Sequence, residues 1–361
     1  MTTKNDQHDH MEDNKTDKDL QFEFNLQRAL LEETPSPDVD AAFSAFKKRN
    51  APPGKHIKSL SIAAACLLAA ACLIGFIFFT DMSKKETIHH TTQLARLGNV
   101  VYEAHPERQF ISVSFGDKTI DISPSTNQQS EGITLTDNNE IQVFNVPKDN
   151  HNEATLSVPQ GLTAKIMLDD GTIIWMNADS KITFPRHFYD KGPREVKLSG
   201  EACFEVTHDE NRPFTVSCNG FKTTVLGTKF NIHSYDNEAP KITLISGKIS
   251  VDNEHQVALL NPEQTLTINN EHEMDITQAD LDVVTSWMTG NFYFDGQTLQ
   301  EILTEVGRWY NVNIVFTNSK HLTEKLHFNT ERNKPIQNIV KQLHMICNAK
   351  FQLTDKALIV D

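Results

Sequence analysis

Residues 60–79, LSIAAACLLAAACLIGFIFF, carry no charge and only one clearly polar side chain, Ser61. A helix rising about 1.5 Å per residue needs roughly 20 apolar residues to cross the ~30 Å hydrocarbon core of a bilayer. A buried helix of a soluble domain keeps a polar stripe, which this run lacks. A secretory signal peptide has a shorter apolar stretch near the chain start, whereas this run follows 59 residues, many of them charged. Ala69-Ala70-Ala71-Cys72 resembles a lipoprotein signal, but seven further apolar residues follow Cys72. The run predicts one transmembrane helix over 60–80. Lys47, Lys48, Arg49, Lys55 and Lys58 precede it, while Asp81, Lys84, Lys85 and Glu86 behind it nearly cancel. This asymmetry places the N-terminus in the cytoplasm and everything after the span beyond the inner membrane, in the periplasm.

The net charge is −14, and the cluster before the span is the one basic concentration, so direct nucleic-acid binding is not expected. Of five cysteines, Cys66 and Cys72 lie in the span. Cys203, Cys218 and Cys347 show no CxxC spacing and suggest neither a disulfide framework nor a zinc site. Cys203 and Cys218 either pair or are small buried thiols, the commoner state.

The cytoplasmic head, residues 1–59, begins with a polar stretch over 1–19 that reads as disordered, His8 and His10 included. Leu26, Ala29 and Leu30 suggest a short helix within 20–31. A clearer one starts at Ser36 as N-cap with Pro37 at the first helical position. Val39, Ala42, Phe43 and Phe46 then form one apolar face, Asp38 and Asp40 suit its positive end, and Lys47, Lys48 and Arg49 suit its negative end. About 40 residues without disulfide or metal rarely build a core alone. Leu30, Val39, Ala42, Phe43 and Phe46 are therefore predicted to fold onto a partner.

Residues 81–99, with His89-His90, read as a linker. Over 100–275, runs rich in Val, Ile, Thr and Phe alternate with turn residues, predicting an all-β domain. The runs include 110–115, 163–168, 172–176, 195–198, 203–207, 214–217, 222–226, 241–245 and 248–251. Asp169-Asp170-Gly171 and Ser246-Gly247 signal hairpin turns. Residues 281–361 form a small α+β domain. Thr298 and Glu301 make a capping box before a helix with the apolar face Leu299, Ile302, Leu303, Val306, Trp309 and Tyr310. Pro335 opens a second helix with the face Ile336, Ile339, Val340, Leu343, Ile346 and Cys347. The faces match at an offset of 37 residues, as do Ile314 with Phe351 and Phe316 with Leu353. A helix–strand unit used twice, both copies on one sheet with the helices on one face, is the expected architecture.

No nucleophile elbow, HExxH, P-loop or dinucleotide motif is present. Asp169 and Asp170 read as turn residues, and Glu201 and Glu205 as same-face strand residues that a glycosidase reading would need opposed across a cleft. No catalytic residue, cofactor or metal site is predicted.

The β domain carries a dense pattern: Val158-Pro159-Gln160-Gly161, Leu168-Asp169-Asp170-Gly171-Thr172, Trp175-Met176-Asn177-Ala178, Phe184-Pro185, Gly200-Glu201-Ala202-Cys203-Phe204-Glu205-Val206, Arg212-Pro213-Phe214, Val225-Leu226-Gly227-Thr228, Phe230-Asn231 and Pro262-Glu263-Gln264. It resembles the periplasmic domain of the FecR family of sigma-regulating membrane proteins, although Cys203 stands where that family usually has an aromatic residue. The segment from Trp287-Met288-Thr289-Gly290 through Arg308-Trp309-Tyr310 to Val360 is similar to the C-terminal domain of Bacteroidetes members, which is like the short N-terminal domain of secretins and TonB-dependent transporters. The resemblance implies a non-enzymatic inner-membrane anti-sigma factor. Its head would hold an extracytoplasmic-function sigma factor, and its periplasmic part would sense the signalling domain of a substrate-loaded outer-membrane TonB-dependent transporter. The alternative from a different class is a periplasmic glycan-binding or envelope-scaffold protein using Trp175, Trp287 or Trp309.

Overall fold

Alternating apolar residues on the strands after residue 110 face a common interior, and they form the largest hydrophobic core among the described residues of the computed structural model. The structure describes residues 98–105, 110–122, 133–135, 140–143, 153–188, 192–355 and 357–361. All belong to one compact unit, Phe79–Asp361. The predicted head with Leu30, Val39, Ala42, Phe43 and Phe46, the span over 60–80 and most of the linker lie outside the described residues. Among the described residues no helix is long and apolar enough to cross a membrane.

After β1 (Asn99–Tyr102) come β2 (Ile111–Phe115), β3 (Lys118–Ile122), β4 (Ile133–Leu135), β5 (Glu140–Val143), β6 (Glu153–Val158), β7 (Ala164–Met167), β8 (Ile173–Met176), β9 (Ser180–Pro185) and β10 (Arg194–Glu205). The β body continues with β11 (Phe214–Cys218), β12 (Phe221–Val225), β13 (Lys229–Ser234), β14 (Lys241–Ser246), β15 (Ile249–Asp252), β16 (Val257–Leu260), β17 (Gln264–Ile268) and β18 (Met274–Gln278). These pair into two layers. One runs β3-β2-β6-β9-β10-β11-β12-β15-β16. The other runs β4-β5-β7-β8-β10-β13-β14-β17-β18. Strand β10 belongs to both. Its first half pairs with β9 and β11, its second half with β8 and β13.

The expected separate strands 195–198 and 203–207 are thus one strand that bends between layers. Gly200 permits the bend: its φ is +100°, and an added Cβ would sit 2.4 Å from Ser180 Oγ. Between the layers lie Leu156, Ile182, Val196 and Phe214 from one side and Ile166, Ile174, Phe230 and Leu266 from the other. Phe204 stacks on Phe230 with ring centroids 5.0 Å apart.

Asp169-Asp170-Gly171 does turn β7 into β8. Leu168 N–H donates to Thr172 O at 2.9 Å, and Gly171 takes φ +82°. The two carboxylates diverge. Asp170 forms a buried ion pair with Arg194 at 3.0 Å, while Asp169 accepts from Phe188 N at 3.0 Å and faces His187. Cys203 and Cys218 are free thiols, each pushed up to about 12 by burial.

The C-terminal module opens with α1 (Leu281–Thr285), capped by Asp280, and a short 3-10 turn over Ser286–Thr289. It continues with β19 (Asn291–Thr298), α2 (Leu299–Tyr310), β20 (Asn313–Phe316), β21 (Lys325–Glu331), α3 (Ile336–Ile346), β22 (Phe351–Leu353) and β23 (Ala357–Val360). The Thr298–Glu301 capping box is present. The repeat is organised differently from the expected single sheet. First strands β19 and β21 pair in a two-stranded sheet, while β20 and β22 flank β23 in a second sheet. Helix α2 touches both sheets and α3 packs on β22, and the two helices bury Leu299, Ile302, Leu303, Val306, Ile339 and Leu343 in one core. Helices in a module this small gain most of their stability from such burial.

The four-stranded sheet runs β1-β20-β23-β22. Residues from 100 onward were expected in the β body, yet β1 pairs antiparallel with β20, more than 200 residues away in sequence. Two local features explain this. A Cβ on Gly98 would lie 2.1 Å from Phe316 O, so a glycine is needed for the approach. Tyr102 joins the module's core beside α2.

Candidate functional site

The outward face of the second layer is polar, as a half-buried sheet should be, but part of it is covered. In the antiparallel pairing of β10 and β13, Glu201 stands opposite His233 and Cys203 opposite Asn231. Glu201 and Glu205 share that face, as their even spacing predicts. Glu205 is exposed and meets Lys229 at 3.1 Å. Glu201 lies beneath the C-terminal module and is 7% exposed.

A buried carboxylate must be paired and hydrogen-bonded to stay charged. Glu201 accepts from Asn177 Nδ2 at 2.7 Å and from Asn231 Nδ2 at 2.9 Å, with His233 Nδ1 3.5 Å away. His233 Nε2 also meets Glu238 Oε2 at 2.9 Å. From the C-terminal module, Arg308 reaches Glu238 with Nη2 and stacks over the Tyr235 ring, 3.5 Å from its centroid. Tyr235 in turn donates to Ala178 O at 2.6 Å. Arg332, 2% exposed, donates Nη1 to Asn177 Oδ1 at 2.9 Å and Nε to Asn291 O at 3.1 Å, and pairs through Nη2 with Glu305. Its guanidinium lies over the rings of Phe292 and Trp309. The result is a continuous polar chain between the modules: Glu305, Arg332, Asn177, Glu201, His233, Glu238, Arg308. Beside it is a cavity of about 370 Å³, lined among others by Glu201, His233, Lys241, Trp287, Tyr293 and Arg308.

The electrostatics follow from this arrangement. Burial opposes charge on Glu201, yet the facing His233 and the hydrogen bonds from His233, Asn177 and Asn231 bring its carboxyl down to about 2. Burial also opposes charge on His233, but Glu201 and Glu238 hold its imidazolium up to about 9. Burial keeps Glu305 above the usual carboxylate range in spite of Arg332.

These shifts give a pH dependence. A histidine raised from 6.5 to about 9 contributes stability that is complete below pH 6.5 and is lost as pH rises through 9. Glu201 acts in the other direction only in strong acid, because its depressed pKa preserves its contribution above about pH 4.5. Stability of the two-module unit should therefore fall by on the order of 2 kcal/mol between pH 6.5 and 9. Denaturant unfolding across that range measures it, and His233→Gln should flatten the slope. An equal slope in the variant would assign the effect to another group.

Trp287 is buried at the junction, and Trp309 donates Nε1 to Arg332 O at 2.8 Å. Trp175 sits outside the junction, flanked by Lys165 and Lys229. The three tryptophans proposed for glycan binding do not converge on one surface. The junction residues His233, Glu238, Glu305 and Arg332 had no role in the sequence reading. Asn177, Asn231 and Arg308 stand out in the sequence only as parts of the family-like pattern, and Glu201 also as a strand carboxylate on the same face as Glu205. A polar residue on an outward strand face reads as solvated until the strand pairing and the covering module are known. The five head residues expected to contact a partner lie outside the described residues. No group of three or more potential metal ligands occurs among the described residues.

The comparisons with known proteins agree with this architecture. The family model described as FecR protein matches residues 154–256, inside the β body, and the model described as FecR, C-terminal matches 291–360, the module that closes over Glu201. Two crystal structures of a candidate anti-sigma factor from Parabacteroides distasonis, at 2.50 and 1.65 Å resolution, are each 25% identical to this chain with a TM-score of 0.54. They cover 58% and 57% of it, and 98% of their own chains. No curated protein matches the chain. The fold and the two matched modules are those of a sigma regulator. Residues 154–256 and 291–360 carry the two modules of the FecR family.

Proposed function

We propose that this chain is a single-pass inner-membrane anti-sigma factor that relays a periplasmic signal to an extracytoplasmic-function sigma factor. The cytoplasmic head holds the sigma factor through the apolar face of Leu30, Val39, Ala42, Phe43 and Phe46. The periplasmic modules receive the signal, and the C-terminal module docks the signalling domain of a substrate-loaded TonB-dependent transporter. The observation that carries this reading is the matching of both FecR modules in order behind a charge-free 20-residue run. The shared polar junction supports it, since two modules locked together can respond as one body.

The head is tested by capture. Residues 1–59 used as bait should retain a small sigma factor from the producing cell. Phe43→Ala combined with Phe46→Ala should cut capture by at least tenfold, since each buried aromatic anchor of an interface is worth roughly 2–4 kcal/mol. Equal capture by both baits would make this face a tether only.

A further inference from the structure

The cavity of about 370 Å³ at the junction is built by both modules. The β body contributes residues of β10, β13, β14 and β17, among them Asn231, Thr243 and Thr265. The C-terminal module contributes Trp287, Tyr293 and one face of α2. The volume lies at the lower end of the roughly 300–1,000 Å³ usual for small-molecule sites. Asn237 and Ala239, in the loop after β13, are exposed where they line the cavity, so this loop forms its rim. A small ligand can enter past it without unfolding either module.

The charges at the wall argue against a charged occupant. Glu201 accepts from Asn177 and Asn231 and pairs with His233, and Glu238 pairs with His233 and Arg308. Lys241 pairs with Glu301 at 3.1 Å, and Glu305 pairs with Arg332. Every charged side chain at the wall already has an opposite partner, so an ionic ligand would have to break a pair to find a counter-ion. The groups left to bind with are neutral. Thr243 and Thr265 share one hydrogen bond at 2.8 Å, which leaves their hydroxyls with capacity for another. Among the side chains that line the cavity, Trp287 Nε1 is a buried donor with no partner, and Asn231 Oδ1 and Gln297 Oε1 are buried acceptors with none. Buried polar atoms are nearly always paired, so three exceptions around one cavity mark it as a place for a polar occupant. Donors and acceptors side by side suit hydroxyl groups, which are both. Trp287, Tyr293 and Val284 add apolar surface to the same wall.

We propose that the junction cavity binds a small neutral saccharide, held between the hydroxyl and amide groups of the β body and the apolar surface of the C-terminal module. A pyranose has the matching make-up, with hydroxyls around its edge and an apolar C–H face. Trp287 lines this cavity, whereas Trp175 and Trp309 do not. Because both modules supply contacts, a bound sugar ties them together and stabilises the unit by mass action. The inference is independent of the sigma-factor reading, since it concerns only what the cavity accepts.

The test uses the full-length protein, with glucose, galactose, N-acetylglucosamine, maltose and cellobiose as probes and glucuronate as the charged control. Calorimetry reads the affinity, and thermal unfolding reads the linkage. At least one neutral probe is expected to bind in the millimolar range or tighter, to raise the unfolding midpoint and to change the tryptophan fluorescence. Glucuronate should bind roughly tenfold more weakly or not at all. Trp287→Phe keeps apolar surface but removes the N–H, and should weaken binding roughly tenfold and remove the fluorescence change. Ala239→Trp, at the exposed rim, obstructs the entrance without touching either core or the junction pairs. It should abolish binding and leave the unfolding midpoint without sugar unchanged, which guards against a misfolded Trp287 variant. Binding of no neutral probe, equal binding of glucuronate, or binding that Ala239→Trp leaves unchanged overturns the proposal.

Discussion

Arg332→Ala is expected to lower the stability of the periplasmic unit by about 3 kcal/mol and its Tm by roughly 6–12 °C. Arg332 is 2% exposed, and all three guanidinium nitrogens are engaged, with Glu305, Asn177 Oδ1 and Asn291 O. Breaking a buried pair by removing one partner leaves the other charge without compensation, the costly case for ion pairs in protein interiors. Glu305 limits the loss because burial already raises its pKa, so it can take up a proton once the cation is gone. Arg332→Lys should rescue little, since a single ammonium cannot address three divergent acceptors or stack on Phe292 and Trp309. Adding Glu305→Gln to Arg332→Ala should recover part of the loss. Denaturant titration of the wild type, Arg332→Ala, Glu305→Gln and the double variant gives the cycle, and a loss under about 1 kcal/mol for Arg332→Ala would mean that the junction is solvated.

Deleting residues 292–361 is expected to leave sigma-factor capture by the head intact and abolish the response to transporter substrate. The deletion removes β20, so β1 loses its seat, and it uncovers Glu201 and His233 on the β body. The β body keeps its own core, since the larger cluster contains no residue beyond Met274. A reporter of the sigma factor's promoters should then give the same output with and without substrate. A normal response from the truncated chain would move the receiver into the β body.

Much of this molecule is legible in its sequence, for identifiable reasons. Alternation found the β body because each strand has one face in a single core, and the Thr298–Glu301 capping box fixed the start of α2 because capping is local chemistry. The turn at Asp169-Asp170-Gly171 is local as well. What escaped is non-local. β10 reads as two strands, because the bend at Gly200 looks like a break until its two sets of neighbours are known. β1 reads as part of the β body, because nothing in Asn-Val-Val-Tyr indicates a partner more than 200 residues on. The junction escaped for a related reason. Glu201, His233, Arg308 and Arg332 each look like surface residues, and only the packing of one module on the other makes them buried partners.

Control of a sigma factor is read most directly as transcription from the promoters served by the captured sigma factor, in cells with and without this chain. Output should rise when the chain is absent and return to its low level when the full-length chain is restored. The chain carrying Phe43→Ala and Phe46→Ala should fail to restore it. Output that is the same with the chain, without it and with the variant would rule out control of that sigma factor by this chain.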